Sequence, residues 1–218
     1  MNGSEFVEQL DADIRQALER LGRLSAAGDV TEDLTVEKLL VIALKNELEA
    51  TEIAAIWMAD TEELDVKLAL ARQVGDEAKH YRAVCDRLME LGTEADLFDP
   101  RRNGYSPLFH YLAQLKGTIA RIAAGQFARE GIALVRNQCF IDYCESTGDA
   151  RTAELYRNVI QPDEQHHHEL GRRLLTRYVR SPQEQSEARQ AANRTIELAE
   201  EIQEMARLKA GISRAPGC

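Results

Sequence analysis

The chain has 218 residues, 44% apolar and 29% charged, which suits one soluble globular domain, residues 1–218, with a sizeable core. Twenty-seven basic against 37 acidic residues leave a net charge of −10, a poor match to a phosphate backbone, so nucleic acid is not an expected partner. Five prolines, 13 glycines and 6% aromatics supply too few turn signals for a many-stranded sandwich or barrel.

Apolar residues recur at helical spacing almost throughout. Phe6, Leu10, Ile14, Ala17, Leu18 and Leu21 make one stripe and predict a first helix over 4–25. A second is expected over 35–59, with Thr35 as its N-cap. Asp60 followed by Glu63 reads as a capping-box start for a third helix, which runs to about 91 and stops at Gly92. Residues 93–105 form the clearest long loop, and Ser106-Pro107 reads as a cap with proline at the first helical position. The pattern then continues to Ser146, too long for one unbroken helix, so a break is expected near Gly117 or Gly125. Thr147-Gly148-Asp149 is a tight turn into a helix ending near 180. After Ser181-Pro182 a last helix covers 183–210, and Arg214–Cys218 is expected to fray. The fold class is an all-α bundle.

No apolar run is long enough to span a membrane, and Met1–Gln9 carries two glutamates and no apolar signal core. A cytoplasmic protein is expected. Cys85, Cys139, Cys144 and Cys218 include no C-x-x-C pair and read as reduced thiols, mostly core fillers.

The chemical signal is a doubled D-E-x-x-H. Asp76-Glu77-Ala78-Lys79-His80 lies in the third helix, and Asp163-Glu164-Gln165-His166-His167 in the stretch after the turn at Gly148. A Glu and a His three residues apart share one helix face and can offer a carboxylate and an imidazole to one metal ion. Asp76 and Asp163, each four residues before its His, lie on the same side, where each can orient an imidazole or a group across the bundle. One E-x-x-H is weak evidence. Two, each preceded by Asp, are hard to get by accident.

A carboxylate-bridged dimetal site needs an acid from each of two further helices. Helices joined by a short turn run antiparallel, so residues at one depth are equidistant from the turn. The first turn centres near Glu62; Glu77 lies fifteen residues beyond it and Glu47 fifteen before. The second centres near Thr147, with Glu164 seventeen residues beyond and Glu130 seventeen before. Glu47 shares its face with Leu40, Ala43, Leu44 and Ala54. Its competitor Glu49 lines up with Lys45 and Asn46, and Glu49, Glu52 and Glu62 are expected on solvated faces. Four carboxylates with two neutral imidazoles balance two divalent ions.

This constellation resembles the ferritin-like di-iron carboxylate superfamily, and more closely its oxygen-activating branch, over about residues 35–180; the helices over 4–25 and 183–210 flank that region. The resemblance implies a four-helix bundle of two antiparallel hairpins joined by a long crossover. It implies two iron ions (manganese or a mixed pair is allowed), bridged by Glu77 and Glu164. Glu47 and Glu130 become terminal ligands, with His80 and His167 one per metal. The expected function is an O2-dependent oxidoreductase, a hydroxylase or oxygenase of a small organic substrate. An external reductase or ferredoxin would supply its electrons, since no flavin or nicotinamide fingerprint is present. The alternatives are a dimanganese catalase or rubrerythrin-like peroxidase, and a ferroxidase or iron-handling protein. A homodimer stays open.

His110, His166 and His168 are expected outside the ligand set. Thr51 is expected to bond back to its own helix. Tyr81, Tyr111, Tyr143 and Tyr156 read as core or rim. Small residues on the ligand faces, Ala43, Ala54, Ala123 and Ala124, would leave room for oxygen or a substrate. Pro162, two residues before Glu164, cannot donate to the carbonyl of Asn158, so the helix should kink or restart there.

Overall fold

A computed structural model describes residues 1–26, 34–93, 99–102 and 104–217. Helices α1 (Gly3–Ala26), α2 (Val36–Asp60) and α3 (Leu64–Glu90) come first, followed by the short α4 (Pro107–Gln114). Next, α5 (Thr118–Ile122) runs through a π-helical segment, Ala123–Arg129, into α6 (Glu130–Ser146). In the same way α7 (Ala150–Leu155) runs through a second π-helical segment, Tyr156–Ile160, into α8 (Gln161–Tyr178). The last helix is α9 (Pro182–Ala210). The described residues contain no strand, and none of their helices is long and apolar enough to cross a membrane.

Local chemistry sets most boundaries. Thr35 accepts from Lys38 N at 3.3 Å, Ser106 from Phe109 N at 3.0 Å and Asp149 from Thr152 N at 3.0 Å. Gly92, Gly117 and Gly148 take φ of +88°, +79° and +83°, which makes them the natural stops. The expected break therefore falls at Gly117, while Gly125 lies inside a π-helical segment. Pro162 enters the first turn of α8, directly after the second π-helical segment. The chain restarts its α-helix where the missing N–H is not needed.

The structure corrects three expectations. The capping box at Asp60 is absent, because Asp60 is the last residue of α2 and Glu63 the N-cap of α3 without a side-chain bond. Thr61 closes α2 instead, its hydroxyl donating to Trp57 O at 2.8 Å, and Glu63 accepts from the Thr118 hydroxyl at 2.6 Å. The described part of the tail, residues 214–217, does not fray. Asn46 Nδ2 donates to Pro216 O at 2.9 Å and Gly217 N to Asn137 Oδ1 at 2.8 Å, docking residues 213–217 onto α2 and α6. Of the three described cysteines Cys144 is fully buried and Cys85 and Cys139 are half-buried, no disulfide joins them, and Cys218 lies outside the described residues. So do residues 94–98 and 103 of the expected long loop.

Helices α2 and α3 form the most extensive helix pair, joined by a three-residue turn, and α6 packs against α8 across the Thr147-Gly148 turn. Helix α1 lies on α6 and α8, and α9 covers α5 and the first π-helical segment. The apolar core divides in two. One cluster gathers Phe6, Leu10, Trp57, Leu70, Phe127 and Leu174, and the other Leu40, Leu44, Val84, Phe140, Tyr156 and Ile160. On α2, α3 and α8 the boundary between them falls at the Glu and His positions singled out by the sequence, while on α6 Glu130 lies between Ala128 and Ile132 of the first cluster.

Gly171 lets α8 approach this layer closely. A Cβ there would lie 2.7 Å from Gln126 C and 2.8 Å from Gln126 O, backbone atoms with nowhere to go. Gly171→Ala should cost about 1–3 kcal/mol of stability by overpacking. Gly75→Ala, where a Cβ meets nothing within 4 Å, should stabilise its helix by roughly 0.5–1 kcal/mol. Chemical denaturation of the two variants checks the contrast.

Candidate metal centre

Six side chains converge between the two apolar clusters. Glu47, Glu77, His80 and Glu164 bring one ligand atom each to within 4.8 Å of one another. Glu77, Glu130, Glu164 and His167 do the same, so the two groups share Glu77 and Glu164. All six residues are buried, with Glu130 and His80 at 0% exposure. The glutamates are paired by the depth they reach, as the distances from the two turns require.

The sharing is resolved to single oxygens. His80 Nδ1 lies 3.3 Å from Glu77 Oε2, 3.5 Å from Glu47 Oε2 and 3.7 Å from Glu164 Oε1. His167 Nδ1 lies 3.7 Å from Glu77 Oε1, 3.5 Å from Glu164 Oε2 and 4.0 Å from Glu130 Oε2. Each shared carboxylate thus turns one oxygen to each imidazole.

The aspartates cross the bundle. His80 Nε2 sits 3.1 Å from Asp163 Oδ2, and His167 Nε2 sits 3.1 Å from Asp76 Oδ2, so each motif holds the imidazole of the other. Lys79 Nζ donates to Asp163 at 2.6 Å and Arg72 Nε to Asp76 at 3.2 Å. Burial raises the Asp163 carboxyl, but the bonds from Lys79 and His80 more than offset it and hold it below its ordinary value. With Nε2 turned to an aspartate, Nδ1 of each ring faces the glutamates, and donation by Nε2–H would leave that nitrogen to a metal ion.

Whether a cation fits can be tested on unsatisfied atoms. Glu130 Oε2, Glu164 Oε2 and His167 Nδ1 are buried and make no hydrogen bond. They converge within one of the two groups. Buried polar atoms without partners are costly, and a shared cation satisfies all three at once. Without one, protons take its place. Burial lifts Glu47 to about 7 and Glu164 to about 8, and pushes Glu130 well above the carboxylate range. Burial also works against Glu77 and His80 ionising, yet the opposite charges between them win, leaving Glu77 at about 2 and His80 at about 12. Each of the two groups could hold a metal ion.

The other candidates fall away from the cluster. Thr51 Oγ1 donates back to Glu47 O at 2.8 Å. His168 Nδ1 bonds Phe127 O at 2.8 Å, His166 is half-buried and His110 is exposed. Tyr143 and Tyr156 are buried in the core, and Tyr81 and Tyr111 are half-buried. Ala43, Ala54, Ala123 and Ala124 are all buried, and Glu62 is exposed and Glu52 half-buried. Glu49 was expected in solvent. It is buried, accepting from Ser106 N at 2.7 Å and Ser106 Oγ at 2.5 Å, and it ties the start of α4 to α2.

Three neighbours were missed. Gln73 Nε2 donates to Glu130 Oε1 at 2.7 Å and Glu77 Oε1 at 3.2 Å, and Gln126 Nε2 donates to Gln73 Oε1 at 2.9 Å. The Arg129 guanidinium lies 3.3 Å from Glu130 Oε1 and 4.0 Å from Glu77 Oε1. The signal was present, since Gln73 and Gln126 each stand four residues before a ligand glutamate, on its own helix face. Compared with protein families, curated proteins and solved structures, the chain finds no match.

Proposed function

We propose that this chain is a ferritin-like dimetal carboxylate protein that uses two iron ions and O2 to oxidise a small organic substrate. A separate reductase or ferredoxin would return the electrons, and manganese or a mixed pair is compatible with the same donors. The observation that carries the reading is the single-oxygen sharing of Glu77 and Glu164 between two equivalent imidazoles. A transit site for one ion has no use for that duplication.

When bound, a reduced iron pair with open coordination positions supplies the electrons that reduce O2 and the oxidising power that follows. The chain's own residues supply the rest. Glu77 and Glu164 would span both ions, Glu47 and Glu130 would each close one side, and His80 and His167 would give each ion its nitrogen. Asp163 and Asp76 orient the two rings through Nε2 and would favour the tautomer that leaves Nδ1 to the metal. The apolar clusters on either side exclude bulk water from the layer.

The test starts with protein loaded anaerobically with Fe(II), reduced and mixed with oxygenated buffer. Iron retained at two per chain, cycling again on re-reduction, is the expected result. Continued uptake into a mineral would replace this reading with iron handling. Rapid O2 evolution from peroxide by a manganese-loaded form would replace it with a catalase.

A further inference from the structure

The two D-E-x-x-H segments share their Asp, Glu and His but not the residues one turn earlier. Four residues before Glu77 stands Gln73; four before Glu164 stands Ile160. Four before Glu130 stands Gln126; four before Glu47 stands Ala43. Immediately before Glu130 comes Arg129, and before Glu47, Asn46. Gln73, Gln126, Ile160 and Ala43 are at most 5% exposed, so the difference is buried beside the centre.

We propose that the two cation positions are unequal: the Glu47–His80 position fills first, and the Gln126–Gln73 amide chain weakens the Glu130–His167 position. This rests on the dimetal reading above. Gln73 is locked as a donor, because its own oxygen is taken by Gln126 Nε2. Both of its bonds go to oxygens of one group, Glu130 Oε1 and the Glu77 oxygen that faces His167. Arg129 approaches the same two oxygens. Charge drawn from those oxygens by hydrogen bonds is no longer available to a cation. Glu130 is left with Oε2 alone, one of the three unsatisfied atoms.

The opposite position has no such competitors. Among the described residues, the Glu47 carboxylate meets only groups of the cluster itself, His80 and Glu77, and no amide or guanidinium. The neighbours one turn earlier, Ile160 and Ala43, belong to the apolar cluster and donate nothing. A symmetric ligand set thus carries an asymmetric surround.

Gln73 and Gln126 act here as positioning residues, and the readout is metal affinity. The experiment titrates chelator-treated protein with Co(II), followed by visible absorption and calorimetry. Two equivalents should bind in two steps at least tenfold apart in affinity. Glu47→Gln should remove the tight step, and Glu130→Gln should remove the weak one and leave the tight one intact. Gln73→Leu should tighten the second step and narrow the gap; Gln73→Met serves if that variant folds poorly, and Gln126→Leu should act in the same direction. Two equal steps, or loss of the tight step in Glu130→Gln rather than Glu47→Gln, would overturn the inequality while leaving the dimetal centre in place. A total capacity other than two would overturn the dimetal reading, and the inference with it.

Discussion

Glu77→Ala and Glu164→Ala should each lower the metal content of loaded protein from two equivalents to below one, whereas Glu47→Ala and Glu130→Ala should each leave about one. The asymmetry follows from the oxygens. Glu77 turns Oε2 toward His80 and Oε1 toward His167, and Glu164 turns Oε1 and Oε2 in the same divided fashion. Removing either takes a ligand from both positions and leaves like charges facing each other without a shared counter-ion. Glu47 and Glu130 each belong to one group only. Glu49→Ala is the control: it should keep both equivalents yet lose about 1–3 kcal/mol of stability, because it strands the Ser106 N–H and hydroxyl at the start of α4. Elemental analysis after gel filtration reads the first effect, and denaturant unfolding the second. Glu164→Gln adds a further sign. It should be no less stable than the parent protein when both are metal-free at pH 8, since the amide stays neutral where burial disfavours the Glu164 charge.

The helices and the six clustered residues were legible because each rests on periodicity or spacing. A carboxylate buried on an apolar stripe, as at Glu47 and Glu130, has to meet something, and equal distances from a turn say what. Other features left weaker traces. The π-helical segments Ala123–Arg129 and Tyr156–Ile160 change the backbone period over five to seven residues, too short a stretch for the apolar pattern to register. Glu49 looked solvated because Lys45 and Asn46 share its face, yet Asn46 is taken by Pro216 and Glu49 by Ser106, segments distant in sequence. The docked tail is invisible for the same reason: its hydrogen bonds go to Asn46 and Asn137, and no local rule pairs them. Gln73 and Gln126 obey the same spacing rule, but a neutral amide four residues before a glutamate is common on any helix and marks nothing by itself.

Protons and metal ions compete for one set of oxygens, so the metal-free protein should lose stability as the pH rises from about 5 to about 8, and bound metal should reverse that slope. The sign follows from each group in turn. Burial lifts Glu47 to about 7 and Glu164 to about 8 from an unfolded value near 4.5. Stability from those raised carboxyls is complete below 4.5 and lost as the pH climbs through 7 and 8. His80, held at about 12 by Glu47 and Glu77 against the cost of burial, adds a loss of the same sign above its unfolded 6.5. Glu77, at about 2, contributes the opposite way, but only as the pH falls below 4.5. Each proton that the folded state holds and the unfolded state releases is worth about 1.4 kcal/mol per pH unit, so the three groups together lose on the order of 5–10 kcal/mol across this window. A divalent ion displaces those protons and binds more tightly as they leave, which stabilises the fold increasingly with pH. Thermal unfolding from pH 5 to 8.5, with chelator or with excess Mn(II), reads both slopes. A chelated protein whose melting temperature rises across that range would show that these carboxyls are not holding protons in the cation's place.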